Sequence, residues 1–434
     1  MEVFRIRGGR KLEGAVTASG SKNAALPLFA ASLLSSEESI LENVPDLSDI
    51  RFMAEILLEM GAEVEKTGPT TWKINPSQIV PCAPYELVRK MRASVCLLGP
   101  LVGRLGKAEI PMPGGCVIGN RPIDLHIRAM QRMGAEVELK AGVVQVNAEN
   151  LRGNSIFMGG RHGSTVTGTA NAIMAAVLAP GKTTIDSAAC EPEITDLCAM
   201  LRNMGANIEG IGSHMIEIEG VESLRGCRHR VIPDRIEAAT YALAAAITGG
   251  EVCVRGGRLD HLGAFVNVMN ACGVRIDAQS ENEISVKTNE DGLRSLEAIT
   301  LPYPGFPTDL QAQTCALACK AKGLSILTER VYPSRFMPVP ELLRMGAEIS
   351  LEGASSIIRG GTPLTGAPVM ASDLRASAAL ILAGLAAEGE TWVQRIYHLD
   401  RGYDAFEKKL QGLGAEVERL PESEMPSAFG AQLS

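Results

Sequence analysis

The sequence predicts a two-domain α/β protein assembled from six copies of one unit of about 70 residues, three copies to a domain. Three observations carry that prediction. A helix end of the form Met-Gly-Ala-Glu, leading into a strand, recurs along the whole chain. The glycines of that motif fall at positions 61, 134, 205, 273, 346 and 414, so they are spaced 73, 71, 68, 73 and 68 residues apart. Hydrophobic residues make up 46% of the chain and aromatic ones only 4%. The core must therefore be built from Ala, Leu, Ile, Val and Met, which suits closely packed helices on sheets.

The copies close their helices at Met60-Gly61-Ala62-Glu63, Met133-Gly134-Ala135-Glu136, Met204-Gly205-Ala206-Asn207, Cys272-Gly273-Val274, Met345-Gly346-Ala347-Glu348 and Leu413-Gly414-Ala415-Glu416. Glycine is the expected left-handed residue that ends such a helix. In each copy an alanine-rich helix also turns into a short β-branched run, as in Pro180-Gly181-Lys182-Thr183-Thr184-Ile185 and Gly249-Gly250-Glu251-Val252-Cys253-Val254. The unit thus reads helix, strand, loop, helix, strand. A unit of about 70 residues cannot hide two helices alone, so the copies must pack together. Pro233 opens the fourth copy and is the expected crossing point. The first domain is expected over 22–232 and the second over 1–21 with 233–420. The Pro/Ser/Gly-bearing stretch 421–434 is expected to be a loose tail.

Composition narrows the partners. The 434-residue chain carries a formal charge of −8, so no basic surplus exists to neutralise a nucleic acid backbone. Ten cysteines without a framework of spacings read as a reduced, cytoplasmic protein. Cys315 and Cys319 lie one helical turn apart, but no second ligand pair accompanies them and no metal site is expected. Met1 to Arg10 holds no apolar run of the signal-peptide kind, and stretches such as Ala378 to Ala387 are too short to span a bilayer.

The polar residues cluster at two phases of the repeat. The first turn of the first helix holds Ser21-Lys22-Asn23, Met91-Arg92-Ala93-Ser94, Thr167-Gly168-Thr169, Asp234-Arg235, Thr308-Asp309 and Asp373-Leu374-Arg375. Helix starts favour anions, and capping normally favours acidic side chains there, so lysine and arginine at these positions point to ligand binding. The loop before the second helix holds Cys116 with Arg121 and Asp124, then Glu191 and Glu193, then Arg335, then His398 and Arg401. Copies one and four are plainer, with Asp46-Leu47-Ser48-Asp49 and Arg258-Leu259-Asp260. Repeats sharing one fold present one phase to one surface, so a shared cleft is expected.

Such a set of cations with a few carboxylates suits a small, highly anionic substrate bearing phosphate and carboxylate, which arginine grips bidentately. Asp309 and Asp373 are candidates for taking a proton from a hydroxyl, although a carboxylate near its reference pKa of about 3.9 is a weak base. Cys116 follows the Gly114-Gly115 pair, which frees its backbone, and is the candidate general acid or nucleophile. No Ser-His-Asp set and no Walker-type run is present. The residues alone lead to a two-domain transferase of an anionic substrate with a loop cysteine.

A set of motifs then matches a known family. These are Ser19-Gly20-Ser21-Lys22-Asn23-Ala24-Ala25-Leu26-Pro27, Lys90-Met91-Arg92-Ala93-Ser94, Pro113-Gly114-Gly115-Cys116, Arg121-Pro122-Ile123-Asp124-Leu125-His126, Glu191-Pro192-Glu193, Pro233-Asp234-Arg235-Ile236-Glu237, Phe306-Pro307-Thr308-Asp309, Arg335-Phe336-Met337, Asp373-Leu374-Arg375-Ala376-Ser377 and Arg395-Ile396-Tyr397-His398 through Tyr403. In this order they resemble the enolpyruvyl transferases, and among these the ones acting on UDP-N-acetylglucosamine. The resemblance implies a pair of inside-out α/β barrels and a reaction between UDP-N-acetylglucosamine and phosphoenolpyruvate, a co-substrate, with no further cofactor. It implies that Lys22 and Arg121 hold the phosphoenolpyruvate phosphate, with Arg401 and Arg375 near its phosphate and carboxylate. Asn23 would orient the sugar 3′-hydroxyl and Asp309 would take its proton. Cys116 would protonate C3 or form an adduct, as the target of fosfomycin. Arg92, Arg121, Pro122, Ile123, Asp124, Leu125, Thr165, Val166 and Val331 would contact the nucleotide sugar. Glu191, Asp234, Arg335 and Asp373 complete the expected binding set.

Two positions depart from the family pattern. Ser48 stands where many members carry lysine, and Thr165-Val166-Thr167-Gly168-Thr169 replaces the usual Ser-Val-Gly-Ala-Thr. The alternatives are a 3-phosphoshikimate 1-carboxyvinyltransferase and a non-catalytic anion-binding regulator. The first would lack the Pro-Gly-Gly-Cys loop and would have Lys-Ser in place of Lys22-Asn23.

Overall fold

A computed structural model describes residues 2–112 and 122–426. The motif residues Pro113 to Arg121, which include Cys116 and Arg121, lie outside the described residues, as does the segment 427–434. The chain is a mixed α/β protein that divides into two compact units, one of residues 20–232 and one of residues 2–19 with 233–426. The change of unit falls after Ser19, two residues earlier than the sequence predicts. A Cβ on Gly20 would lie 1.6 Å from the Asn43 carbonyl oxygen, and the Ser21 amide donates to the Ile232 oxygen at 2.7 Å. Gly20 and Ser21 are thereby tied to the 20–232 unit.

Within the 20–232 unit, the helices Lys22–Ala31, Leu98–Leu105 and Val166–Ala176 form the core. Within the other, the corresponding helices are Arg235–Thr248, Gln311–Lys320 and Leu374–Ala386, which pack on one another. Arg235–Thr248 buries 13 of its 14 residues and Leu374–Ala386 buries 11 of 13. A helix enclosed on all sides needs small side chains for close approach, which explains the alanine runs and the scarcity of aromatics. Two helix starts differ from the sequence prediction. The segments Arg92–Leu97 and Thr308–Leu310 are 3₁₀ turns that lead into the helices, so Arg92, Thr308 and Asp309 sit on a tighter turn.

Each buried helix feeds a strand of its own small sheet. In the 20–232 unit these strands are Ser39–Glu42, Lys107–Pro111 and Lys182–Asp186. In the other unit they are Glu251–Arg255, Gly323–Thr328 and Glu390–Gln394. A second helix follows, and a left-handed glycine closes it. Gly61, Gly134, Gly205, Gly273, Gly346 and Gly414 have φ of 99°, 95°, 110°, 93°, 88° and 93°. The strands after each glycine then pair antiparallel back onto the sheet. In the last sheet Glu2–Arg7 supplies the missing strand, pairing with Glu416–Pro421 and with Glu390–Gln394.

This pairing corrects the expected tail. Pro421 is the partner of Glu2, Glu422–Glu424 forms a 3₁₀ turn, and Gln394 Nε2 donates to Glu422 Oε1 at 3.1 Å. The start of the stretch 421–434 is therefore built into a sheet edge. Among the described residues no helix is long and apolar enough to cross a membrane.

Candidate active site

In the 20–232 unit, Ser21 caps the helix that Lys22 opens, its hydroxyl accepting the Ala24 amide at 3.3 Å. Lys22 Nζ lies 2.6 Å from Asp49 Oδ2, with the two side chains 12% and 3% exposed. Asp49 belongs to the segment that the sequence marks as plain. The buried carboxylate of Asp49 thereby fixes the position of the Lys22 side chain. Asn23 follows Lys22 on the same first turn.

Arg92 opens the 3₁₀ turn before Leu98–Leu105, and its charge acts on the buried His126. His126 Nδ1 accepts from Asn171 Nδ2 at 2.8 Å, and His126 Nε2 lies 3.3 Å from Thr167 Oγ1. Asn171 Nδ2 also donates to the Val95 oxygen at 2.8 Å, while Asn171 Oδ1 accepts the Gly99 amide at 2.7 Å. That pattern fixes the Asn171 amide, makes Nδ1 of the ring an acceptor and leaves the proton on Nε2. Burial lowers the pKa of His126 to about 3, and the Arg92 charge pushes the same way.

A pH dependence of stability follows. Below the unfolded value of about 6.5 the unfolded chain takes up a proton that folded His126 refuses. His126 therefore removes stability as pH falls toward about 3, by at most about 1.4 kcal/mol per pH unit. Urea unfolding at several pH values should give a shallower acid slope for His126→Leu than for the wild type. Equal slopes would show that His126 accepts its proton in the folded state.

The other expected residues of this unit take helix starts. Ile123 is buried and Asp124 opens the helix Asp124–Arg132, after Pro122. Leu125 reaches within 3.1 Å of where a Cβ on Gly160 would stand. Thr165 caps Val166–Ala176, accepting the Gly168 amide at 3.2 Å. Glu191 and Glu193 are both buried at the start of Pro192–Met204.

In the other unit the geometry converges on Asp309. Arg335 Nη1 donates to Asp309 Oδ1 at 2.8 Å and Arg375 Nη2 donates to Asp309 Oδ2 at 2.9 Å. The arginine side chains are 7% and 4% exposed, and Asp309 is 27% exposed. Burial would raise the carboxyl, but the charges of Arg375 and Arg335 with their hydrogen bonds outweigh it and hold Asp309 well below the ordinary carboxylate range. The Arg375 guanidinium stacks over the Tyr403 ring at 5.4 Å. Its Nη1 is buried without a hydrogen-bond partner among the described residues. Tyr403 is held by Thr240 Oγ1 at 2.9 Å and by Gln313 Nε2 at 3.1 Å.

Two aspartates in this unit are caps. Asp234 Oδ1 accepts the Ile236 and Glu237 amides at 2.8 and 3.0 Å. Asp373 Oδ1 accepts the Arg375 and Ala376 amides at 2.9 and 3.0 Å, and Ser372 Oγ meets Asp373 Oδ2 at 3.3 Å. Asp373 was a candidate for removing a proton on sequence grounds. One of its carboxylate oxygens caps the helix start, whereas both oxygens of Asp309 are held by arginines. His398 is lowered first by burial and then by Arg401 and Arg395, against an opposing contribution from Asp373. That places His398 within electrostatic reach of Arg401, Arg395 and Asp373. Val331 lies on the segment between Glu329 and Arg335 and donates its amide to Glu329 Oε1 at 2.8 Å.

Sequence reasoning missed Asp49, Asn171 and Glu329. Their residue types and their loop or helix positions are those of side chains that usually face water, and only burial distinguishes them.

The chain matches the family model of EPSP synthase (3-phosphoshikimate 1-carboxyvinyltransferase) over residues 6–410. It is 50% identical to a UDP-N-acetylglucosamine 1-carboxyvinyltransferase of Methylacidiphilum infernorum, over 97% of this chain and 99% of that one. It is 49% identical to the protein of that name from Akkermansia muciniphila, over 98% of this chain and 100% of the other. Among solved structures, the enolpyruvyl transferase NikO from Streptomyces tendae superposes with a TM-score of 0.87 at 28% identity, covering 96% of this chain and 99% of NikO. An EPSP synthase from Acinetobacter baumannii superposes with a TM-score of 0.73 at 19% identity, covering 97% of this chain and 100% of its own, which is a likeness of fold.

Proposed function

The chain belongs to the enolpyruvyl transferase family, and from that premise we propose that it transfers the enolpyruvyl group of phosphoenolpyruvate to the 3′-hydroxyl of UDP-N-acetylglucosamine, releasing phosphate. The observation that carries the choice of acceptor is the near-full-length identity of about half to relatives named for that reaction. The 3-phosphoshikimate alternative draws on the name of the matching family and on a structural likeness at 19% identity, which reaches only the fold. The product is a peptidoglycan precursor, and the reaction belongs to the cytoplasm. On the same reading the fold is a pair of inside-out α/β barrels of three repeats each.

Both carbons of the enol change bonding, and the residues divide that work. Asp309 takes the proton of the 3′-hydroxyl, oriented by Asn23, as the oxygen bonds to C2 of phosphoenolpyruvate. Cys116 supplies a proton to C3, giving a tetrahedral ketal. Loss of a C3 proton then restores the double bond as the C2–O bond to phosphate breaks. Lys22, Arg121 and Arg401 hold the phosphate, and Arg375 the carboxylate. Arg92, Pro122, Ile123, Asp124, Leu125, Thr165, Val166 and Val331 hold the nucleotide sugar, with Glu191, Asp234, Arg335 and Asp373 fixing the surrounding segments. As written, the reaction calls on no cofactor beyond the co-substrate.

The pinning of Asp309 has a consequence for timing. A carboxylate held by two guanidiniums is a poor base. A bound anion that draws off part of the Arg375 charge restores its basicity, so the base is armed by the substrate it serves. The test of the transfer is the product. Proton NMR of a mixture of protein, phosphoenolpyruvate and UDP-N-acetylglucosamine should show new vinyl signals on the nucleotide sugar. No new vinyl signals there, but new ones on shikimate 3-phosphate in a parallel mixture where it replaces the nucleotide sugar, would favour the alternative.

A further inference from the structure

Behind the Asp309 clamp lies a carboxylate with no ion-pair partner among the described residues. Glu329 is fully buried at the end of the strand Gly323–Thr328. Four donors surround it. Glu329 Oε1 accepts from Thr300 Oγ1 at 2.6 Å and from the Val331 and Tyr332 amides, both at 2.8 Å. Glu329 Oε2 accepts from Thr308 Oγ1 at 2.8 Å. Thr308 spends its only hydroxyl proton on Glu329, which turns an oxygen lone pair toward Arg335 Nη1 at 3.0 Å. The same Nη1 gives its second proton to Asp309 Oδ1 at 2.8 Å. Donors and acceptors along this line are matched one to one, and burial makes any reversal expensive.

We propose that Glu329 is a positioning residue: through Thr308 it holds Arg335 on Asp309, and through two backbone amides it sets the turn at Val331 and Tyr332. This rests on the reading of Asp309 as the base. The charged and titratable groups around Asp309 include, among the described residues, Arg335 from the Glu329 side, Arg375 from the helix Leu374–Ala386, Tyr403 beneath Arg375, and Asp234 acting on Arg375. Of these, only the placement of Arg335 passes through Thr308 and Glu329. A neutral amide at 329 would present N–H groups to donors and break the order of the line. A valine at 308 keeps the shape and removes only the link.

The test compares Thr308→Val, Thr308→Ser and Glu329→Gln in the full-length protein by two readouts. One is the carbon-13 NMR titration of the Asp309 carboxyl, which needs no turnover. The other is steady-state kinetics with UDP-N-acetylglucosamine and phosphoenolpyruvate. Thr308→Val should raise the Asp309 midpoint by about one pH unit and yet lower kcat about tenfold, because the carboxylate loses its position as it gains basicity, with KM for the nucleotide sugar within about twofold. Thr308→Ser should match the wild type in both. Glu329→Gln should do as Thr308→Val does, because its carbonyl oxygen can still accept the Val331 and Tyr332 amides while its NH2 replaces the acceptor of the Thr308 hydroxyl proton. An unmoved Asp309 midpoint in Thr308→Val, or a serine variant as impaired as the valine one, would overturn the proposal. If Glu329→Gln does not fold, the Thr308 pair decides alone. If the wild type gives no turnover, the base assignment fails while the titration still decides the role of Glu329.

Discussion

Asp309→Asn should lower kcat by about 10²- to 10⁴-fold while KM for UDP-N-acetylglucosamine changes by less than about tenfold. The amide keeps the size of the side chain and can still accept one guanidinium hydrogen bond, but it cannot take the hydroxyl proton. The substitution also removes the carboxylate charge shared by two arginines that are 7% and 4% exposed. Leaving buried charge unpaired costs on the order of 3–5 kcal/mol when no anion replaces the partner. The variant should therefore melt at lower temperature when empty and recover part of that loss in phosphoenolpyruvate, whose carboxylate gives Arg375 a new counter-ion. Steady-state kinetics and thermal melts with and without phosphoenolpyruvate read both effects. Equal losses in kcat and in substrate binding would remove Asp309 as the base.

Fosfomycin, an epoxide phosphonate, is expected to alkylate Cys116 and no other of the ten cysteines. The thiolate is the attacking species, so competing thiols matter as much as the target. Burial pushes Cys96, Cys198 and Cys319 up to about 12 and Cys272 to about 11, and it raises Cys315, Cys190 and Cys227 as well. Cys253 is pushed to about 11 by burial and by the neighbouring Glu283 carboxylate. Cys82 is the one exposed thiol among the described cysteines, so it is the internal control for unselective alkylation. Peptide mass spectrometry after limited exposure should find the adduct on the Cys116 peptide alone. Cys116→Asp should keep some turnover, since a carboxylic acid can donate the C3 proton, and should lose the label completely. Labelling at Cys82 with Cys116 unmodified would contradict the role assigned to the loop.

The parts of the molecule visible in the sequence are those governed by local signals. Gly61 and its five counterparts announce helix ends because a left-handed residue is needed there, and each takes a positive φ. Ser21, Thr165, Asp234 and Asp373 announce helix starts, and each accepts backbone amides as a cap should. For Asp373 the same signal is ambiguous, since a carboxylate in a helix-start motif looks the same whether it caps or catalyses. What escaped depends on long-range packing. Asp49 sits in an unremarkable Leu-Ser-Asp segment until the fold brings it to Lys22. Glu329 follows a strand, where glutamate usually faces water, and only the meeting of Thr300, Thr308 and the Val331 turn explains its burial. Asn171 lies in an alanine-rich helix, and its amide matters because Gly99, Val95 and His126 surround it.

The central claim is that phosphoenolpyruvate gives up its phosphate here only when UDP-N-acetylglucosamine is present to receive the enolpyruvyl group. Continuous measurement of phosphate release from phosphoenolpyruvate tests it, with UDP-N-acetylglucosamine, with shikimate 3-phosphate and with no acceptor. The account predicts sustained release with UDP-N-acetylglucosamine, one phosphate per acceptor consumed, and none in the other two reactions. Release driven by shikimate 3-phosphate, or no release with any acceptor, would contradict it.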